Sequence, residues 1–356
     1  FFFKQKTAYE IPKRDWSSDV CSSDLHHNLS GRTLIEGFIA GFECGSRLTQ
    51  VIDFKRRQNG GPTHRGWWHV GLIGPIAAAF AVGRMRGLNR TKMATAVGIA
   101  TCGGGGFRRN MGTMAKALHS GNAARDGIQA VDLAKLGFTS DPEILEAPLG
   151  FIAAICPSED DRNEAAVLEK LGRPYMLEGP QRIKMYPVCN PAHPIIDAAL
   201  RLHAQKSFTV DQIEAVDADL HTFSLLRPEP WDEESAGFSG AYAIAVALIH
   251  GKVGLDQVTG ETVHDPAVKA LMKKIHHKPQ KQNETVSVRL KGGRTVAVDV
   301  HEVKRHTTAE GISAKFRDAV GRAIPTGNVE PLEALIGRLD KEPDIRRLME
   351  LAGSKA

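Results

Sequence analysis

Apolar positions between residues 30 and 150 recur at helical rather than alternating spacing. Leu34, Ile35, Phe38 and Ile39 share one side of a helix that Ser30 can cap and that is expected to end near Gly45. From Gly71 to Arg86 the chain is apolar almost all round and rich in Ala and Gly, the pattern of a helix buried in a helical core with other backbones close. Thr91 to Ala100 repeats the theme, with Thr91 as its cap. Met111 to Leu136 reads as a long helix stopped by Gly137.

The middle of the chain changes period. Gln181 to Tyr186 reads as a short strand, and Ala192 to His203 as a helix entered through Pro191. Ile213 to Leu220 alternates apolar and acidic residues, as a half-buried strand does. Phe238 to Ile249 is apolar and helical. Thr285 to Leu290 and Arg294 to Val300 alternate about Lys291-Gly292-Gly293, a hairpin signal. Helices return at Ser313 to Gly321, Val329 to Arg338 and Ile345 to Ala352.

The expected fold is therefore mostly α with an α+β part: a helical domain built from both outer segments, carrying a smaller inserted α+β lid domain. In residues, 26–180 form the helical domain, 181–306 the insert, and 307–356 the helices that return to the first domain. Residues 1–25 follow neither period. The chain begins with Phe1 rather than Met, and Asp15 to Leu25 resembles the translation of a sequencing adapter, so this stretch is set aside as unstructured.

Composition narrows the function. The net charge of +5 over 356 residues is mild, and Lys and Arg are interspersed rather than blocked, which argues against a nucleic-acid surface. A few cations gathered in one cleft account for it equally well and suit an anionic substrate. The longest apolar run, Ile73 to Val82, is too short to span a bilayer, and no secretory signal opens the chain. Cys44, Cys102, Cys156 and Cys189 lack paired spacing, so reduced thiols in a cytoplasmic protein are expected, without a disulfide framework or zinc ribbon.

Two stretches carry candidate chemistry. In Gly112 to Gly127, Lys116 and His119 stand three apart on a helix rich in small residues, hence on one face. A lysine there needs an anion or solvent, since apolar packing cannot satisfy it; a surface lysine is the bland alternative. In Lys184 to Asp197, Lys184 and His193 flank a turn. A helix opening after Asn190 would offer free N–H groups to a carboxylate, with Asn190 otherwise a simple cap. Gly103 to Gly106 lacks the Gly-Lys-Ser/Thr ending of a phosphate loop and reads as a turn. His64, His69, His276 and His277 have no partners at metal spacing, and nothing around Cys189 marks a nucleophile.

Both stretches resemble signature motifs of the MmgE/PrpD superfamily, a Lys-x-x-His-x-Gly-x-Ala-Ala helix and a Lys-x-Tyr/Phe-Pro…His-x-x-x-Asp segment. Gly66 to Ala79, Ala236-Gly237-Phe238-Ser239 with Tyr242, Gly251 and the hairpin followed by the last helices extend the likeness from about Leu29 to the end. The resemblance implies a helical domain with a lid-like domain, a homodimer, and a small polycarboxylate bound between the two domains. It also implies a further N-terminal stretch with an acidic motif, so the chain as it stands is expected to show little or no turnover. The sequence departs from the family where a histidine and a threonine fall on Trp68 and Val70; His69, one residue away, is the candidate replacement. Ser235 and Gly237 stand where Glu and Lys often precede the Phe-Ser pair.

Removing a proton beside a carboxylate builds a second negative charge, so a positioned base and cations aimed at that charge are needed. Lys116 and Lys184 are assigned as carboxylate clamps, with Asn190 and His69 as further substrate contacts. His119 and His193 are candidates for acid–base work, and Tyr242 for proton donation. The scheme requires neither metal nor cofactor. The leading expectation is a lyase resembling 2-methylcitrate dehydratase. Decarboxylation of cis-aconitate and epimerisation of an amino-dicarboxylate stay open within the same chemistry. A catalytically silent, carboxylate-binding member is the alternative that Trp68, Val70, Ser235 and Gly237 favour.

Overall fold

A computed structural model describes residues 29–52, 65–156, 164–179, 181, 183–220, 222–279, 285–300 and 308–353. Residues 1–25, His64 and 301–307 lie outside them. Ser30 opens α1 (Gly31–Ile52), its hydroxyl accepting the Thr33 N–H at 3.2 Å. The helix runs on past Gly45 to Ile52 because its small residues meet α2 (His69–Met85). A Cβ at Gly41 would lie 2.7 Å from the Ala77 carbonyl, so this approach of two backbones excludes any larger residue. Close packing offsets the roughly 1 kcal/mol that each interior glycine costs.

Helix α2 is buried as its composition predicts, and α1, α3 (Arg90–Thr101) and α4 (Met114–Lys135) surround it. Ile52, Ile76, Ala79, Val82, Ala96 and Val131 are completely buried in this core. Two starts differ from expectation. Asn89, not Thr91, caps α3, its Oδ1 accepting the Lys92 N–H at 2.9 Å. Helix α4 begins at Met114 rather than Met111, because Gly112 takes a left-handed φ of 77° and the Met111 side chain turns inward against Cys189 and Phe238.

The second core is α+β. Helices α5 (His193–Ala204) and α6 (Gly240–His250) pack with α7 (Pro266–Met272) against a sheet of β1 (Ile213–Ala218), β2 (Ile275–His277), β3 (Thr285–Leu290) and β4 (Thr295–Asp299). The strand order is β2–β1–β3–β4, with β2 parallel to β1 and the other pairs antiparallel. The hairpin register sets Val286 opposite Val298 and Val288 opposite Val296, and Gly292 and Gly293 both take positive φ at its tip. Strand β2, three residues long after a run of lysines, carries no alternation that a sequence could show. The described residues of 181–186 form no strand. The Gln181 side chain folds back on the Met176 and Gly179 carbonyls, at 2.9 and 3.0 Å, and 185–188 bend.

The last helices, α8 (Ala309–Val320), α9 (Thr326–Ile336) and α10 (Arg346–Ala352), enclose a small core that Leu29 and Leu34 share with the first. Backbone bonds tie them to the start of α1: Gly31 N–H donates to Glu342 O at 2.8 Å and Ile345 N–H to Leu29 O at 3.0 Å. No described helix is long and apolar enough to cross a membrane.

Candidate functional site

A proline far from any charge shapes the first wall of the site. Pro75 lies inside α2 and has no N–H to give the carbonyl of Gly71, one turn earlier. That carbonyl accepts the Gly105 N–H instead, at 2.9 Å. The glycine run is thereby drawn against the first turn of α2, where a Cβ on Gly71 would fall 1.8 Å from Gly105 O. Gly106, at φ 142°, continues under His119: a Cβ there would lie 3.3 Å from the imidazole ring. Residues 103–106 are thus a wedge that seats His119, more than the turn expected of them. The His119 Nδ1 atom is buried, without a hydrogen-bond partner among the described residues. Burial holds the ring's pKa below its ordinary value, which keeps it neutral at pH 7.

Lys116 lies one turn before His119 on α4. Its Nζ stands 5.6 Å from the centroid of the Phe238 ring, and burial lowers its pKa, with Cys189 and Glu234 pulling the other way. Lys184 reaches the same place from the bent segment before α5. Burial pushes its pKa down to about 8, and the charges of Lys116 and Lys315 add to the fall. Cys189 lies between these lysines in effect: burial pushes its thiol up to about 11 although both cations draw it down. Lys116 and Lys184, 68 residues apart in the chain, are thus brought near enough for the charge of one to lower the pKa of the other.

Hydrogen bonds fasten this junction between the two cores. Cys189 N–H donates to Gly237 O at 2.7 Å, and the Arg227 guanidinium donates to Met111 O at 3.1 Å and Arg109 O at 3.0 Å. Met111, Cys189 and Phe238 form a small buried cluster with Trp68 packed on it. Trp68, standing where the resemblance has a histidine, thus supplies an apolar wall. His69 begins α2 with its ring 4.2 Å from that of Trp68, and burial followed by Arg108 lowers its pKa.

Three expectations change. Tyr242 is fully buried in the α+β core and donates its hydroxyl to Gln257 O at 2.6 Å, so the structure does not bring it to the lysines. The turn at Asn190 offers fewer N–H groups than expected. Ala192 and His193 donate theirs to the Cys189 and Asn190 carbonyls, and Pro191 and Pro194 have none. His193 is 1% exposed and sits edge-on to Tyr186, centroids 5.0 Å apart, while the Tyr186 hydroxyl bonds Asp197. Through Tyr186 it backs the Lys184 segment. Glu234 and Lys315 are neighbours that the sequence reading missed. The signal was present for Lys315, which has Gly311 and Ala319 one turn either side, as Lys116 has Gly112 and Ser120.

A separate apolar cavity of about 880 Å³, walled by residues such as Leu48, Val51, Phe80 and Ile152, includes none of these side chains. Among the described residues no group of three or more His, Cys, Asp or Glu is placed to hold a metal ion.

Comparison with known proteins finds two family models and several relatives. The MmgE/PrpD N-terminal domain matches residues 17–164 and the MmgE/PrpD C-terminal domain residues 186–341. Cis-aconitate decarboxylase of Mus musculus is 27% identical over 344 residues, covering 90% of this chain and 68% of the relative. The protein of that name from Aspergillus terreus is 27% identical over 354 residues, 91% and 71% of the two chains. Mitochondrial 2-methylcitrate dehydratase of Yarrowia lipolytica is 23% identical over 376 residues, 95% and 68%.

Proposed function

The chain belongs to the MmgE/PrpD family, and from that premise we propose that it is a lyase of small polycarboxylates, with the junction between its two cores as the active site. One observation carries the reading. Lys116 and Lys184 are desolvated and repel each other, and among the described residues neither has an acid within ion-pair distance. Buried cations held together without counter-ions are costly unless an anion completes them. A polycarboxylate supplies that anion and draws both lysine pKa values back up on binding.

In this reading Lys116 and Lys184 each clamp a carboxylate, and the neutral His119 moves the proton. For decarboxylation of cis-aconitate, the bond to one carboxylate breaks, carbon dioxide leaves, and the electron pair spreads into the conjugated carboxylate that a lysine holds. A proton then arrives at carbon from the N–H of the neutral imidazole, which takes one back from water. We put this reading first because the relatives at 27% carry that name. Dehydration of 2-methylcitrate, the expectation from sequence, is the second reading, and the 23% relative favours it. There the histidine takes the proton, the electron pair forms the double bond, and hydroxide leaves as water once protonated. His193 and Tyr186 position Lys184 in both. The homodimer implied by the resemblance belongs to the same proposal.

Proton NMR of the chain incubated separately with cis-aconitate and 2-methylcitrate tests this. Binding of either ligand, and any loss of carbon dioxide from the first or of water from the second, is expected to fall at least tenfold in Lys116→Met and Lys184→Met. Absence of both turnover and binding for every polycarboxylate tried would refute it.

A further inference from the structure

We infer that Lys315, contributed by α8, is a third carboxylate-binding residue that makes the site select a tricarboxylate over a dicarboxylate. The inference rests on the polycarboxylate reading and specifies its substrate class.

The orientation of α8 is fixed from both sides. On one side Ser313 and Arg317 share Glu333 of α9, the Arg317 Nε bond being 2.6 Å long. Lys315 is two residues from each, roughly 200° around the helix at 3.6 residues per turn, so it points away from α9. On the other side a Cβ on Gly311 would lie 3.7 Å from the Met185 Cε, which seats that face of α8 against the neighbour of Lys184. Lys315 is one turn after Gly311 and on the same face. It is half-buried, and burial lowers its pKa. It is also close enough to Lys184 to lower that pKa in turn.

Three parts of the fold thus deliver one lysine each: α4, the bent segment before α5, and the returning C-terminal helix. Among the described residues none of the three forms an ion pair or hydrogen bond through its ammonium group, and Glu234 is the one acid that acts on Lys116. Glu234 acts on Lys116 but on neither Lys184 nor Lys315, and a tricarboxylate gives each of the three lysines a carboxylate of its own. A dianion leaves one of them desolvated and unmatched, a state that is strongly unfavourable in a partly buried site. Lys315, the least buried, takes the carboxylate farthest from His119.

Calorimetric titration of the chain with tricarballylate and with glutarate, at equilibrium and low salt, separates the possibilities without requiring turnover. Lys315→Met is expected to weaken tricarballylate by roughly ten- to a hundredfold, the worth of one charge-assisted hydrogen bond, and glutarate less than threefold. Lys315→Arg, which keeps the charge, is expected to restore most of the loss, and all variants should melt within a few degrees of the unaltered chain. Equal weakening of both ligands, or of neither, overturns the assignment of Lys315 alone. If tricarballylate fails to bind the unaltered chain, or binds undiminished to Lys116→Met and Lys184→Met, the polycarboxylate reading falls and this inference with it.

Discussion

Replacing Lys184 with methionine removes a charge that the folded chain holds at an energetic cost, and should stabilise the protein while disabling its site. An unfolded lysine titrates at 10.5, whereas Lys184 in the folded chain does so at about 8. Between those values the folded state binds fewer protons than the unfolded one, so stability rises with pH across that window. At pH 7 both states are protonated and the whole penalty is present. At about 1.36 kcal/mol per pH unit it amounts to about 3 kcal/mol, and relaxation of the side chain brings the expected gain to about 2–3 kcal/mol. Methionine has nearly the same length and no charge to desolvate. Urea unfolding followed by circular dichroism should therefore show Lys184→Met more stable than the parent by that amount at pH 7. The difference should shrink steadily toward pH 10, and saturating tricarballylate should reverse it by stabilising the parent alone. A methionine variant less stable than the parent at pH 7, or a difference that ignores pH, would show that Lys184 is adequately solvated and that the cation-pair argument is wrong.

Two further outcomes test how the site is held. Gly71→Ala places a methyl group 1.8 Å from Gly105 O, which pushes the glycine wedge off α2 and away from His119. Tricarballylate binding is expected to weaken while unfolding free energy falls by about 1–3 kcal/mol, and an unchanged chemical shift for the His119 ring would contradict the wedge. Tyr242→Phe leaves the Gln257 carbonyl without its 2.6 Å partner and should cost about 1–3 kcal/mol in chemical unfolding. Ligand affinity should not move; a tenfold loss would return Tyr242 to the site.

Much of the helical frame was legible because burial imposes periodicity locally. The all-round apolar stretch before Arg86 is α2, and the alternation about Lys291-Gly292-Gly293 is the β3–β4 hairpin. Lys116 and His119 could be paired from their spacing alone. The errors cluster where distant contacts decide. Gly45 ends nothing because Ala77 of another helix needs the room. The described residues just before Tyr186 form no strand, with Gln181 bonded back to the chain before it. Tyr242 adjoins a motif yet spends its hydroxyl on a carbonyl fifteen residues on.

By itself, then, the sequence determined which residues carry charge, which faces must be buried and where the chain can turn, since those follow from side-chain chemistry and short-range sterics. Tertiary structure alone decided that Lys184 feels the charges of Lys116 and Lys315, and that Pro75 frees a carbonyl to seat a histidine on another helix. Desolvation and electrostatic repulsion depend on distance through space, and no local pattern of residues records it.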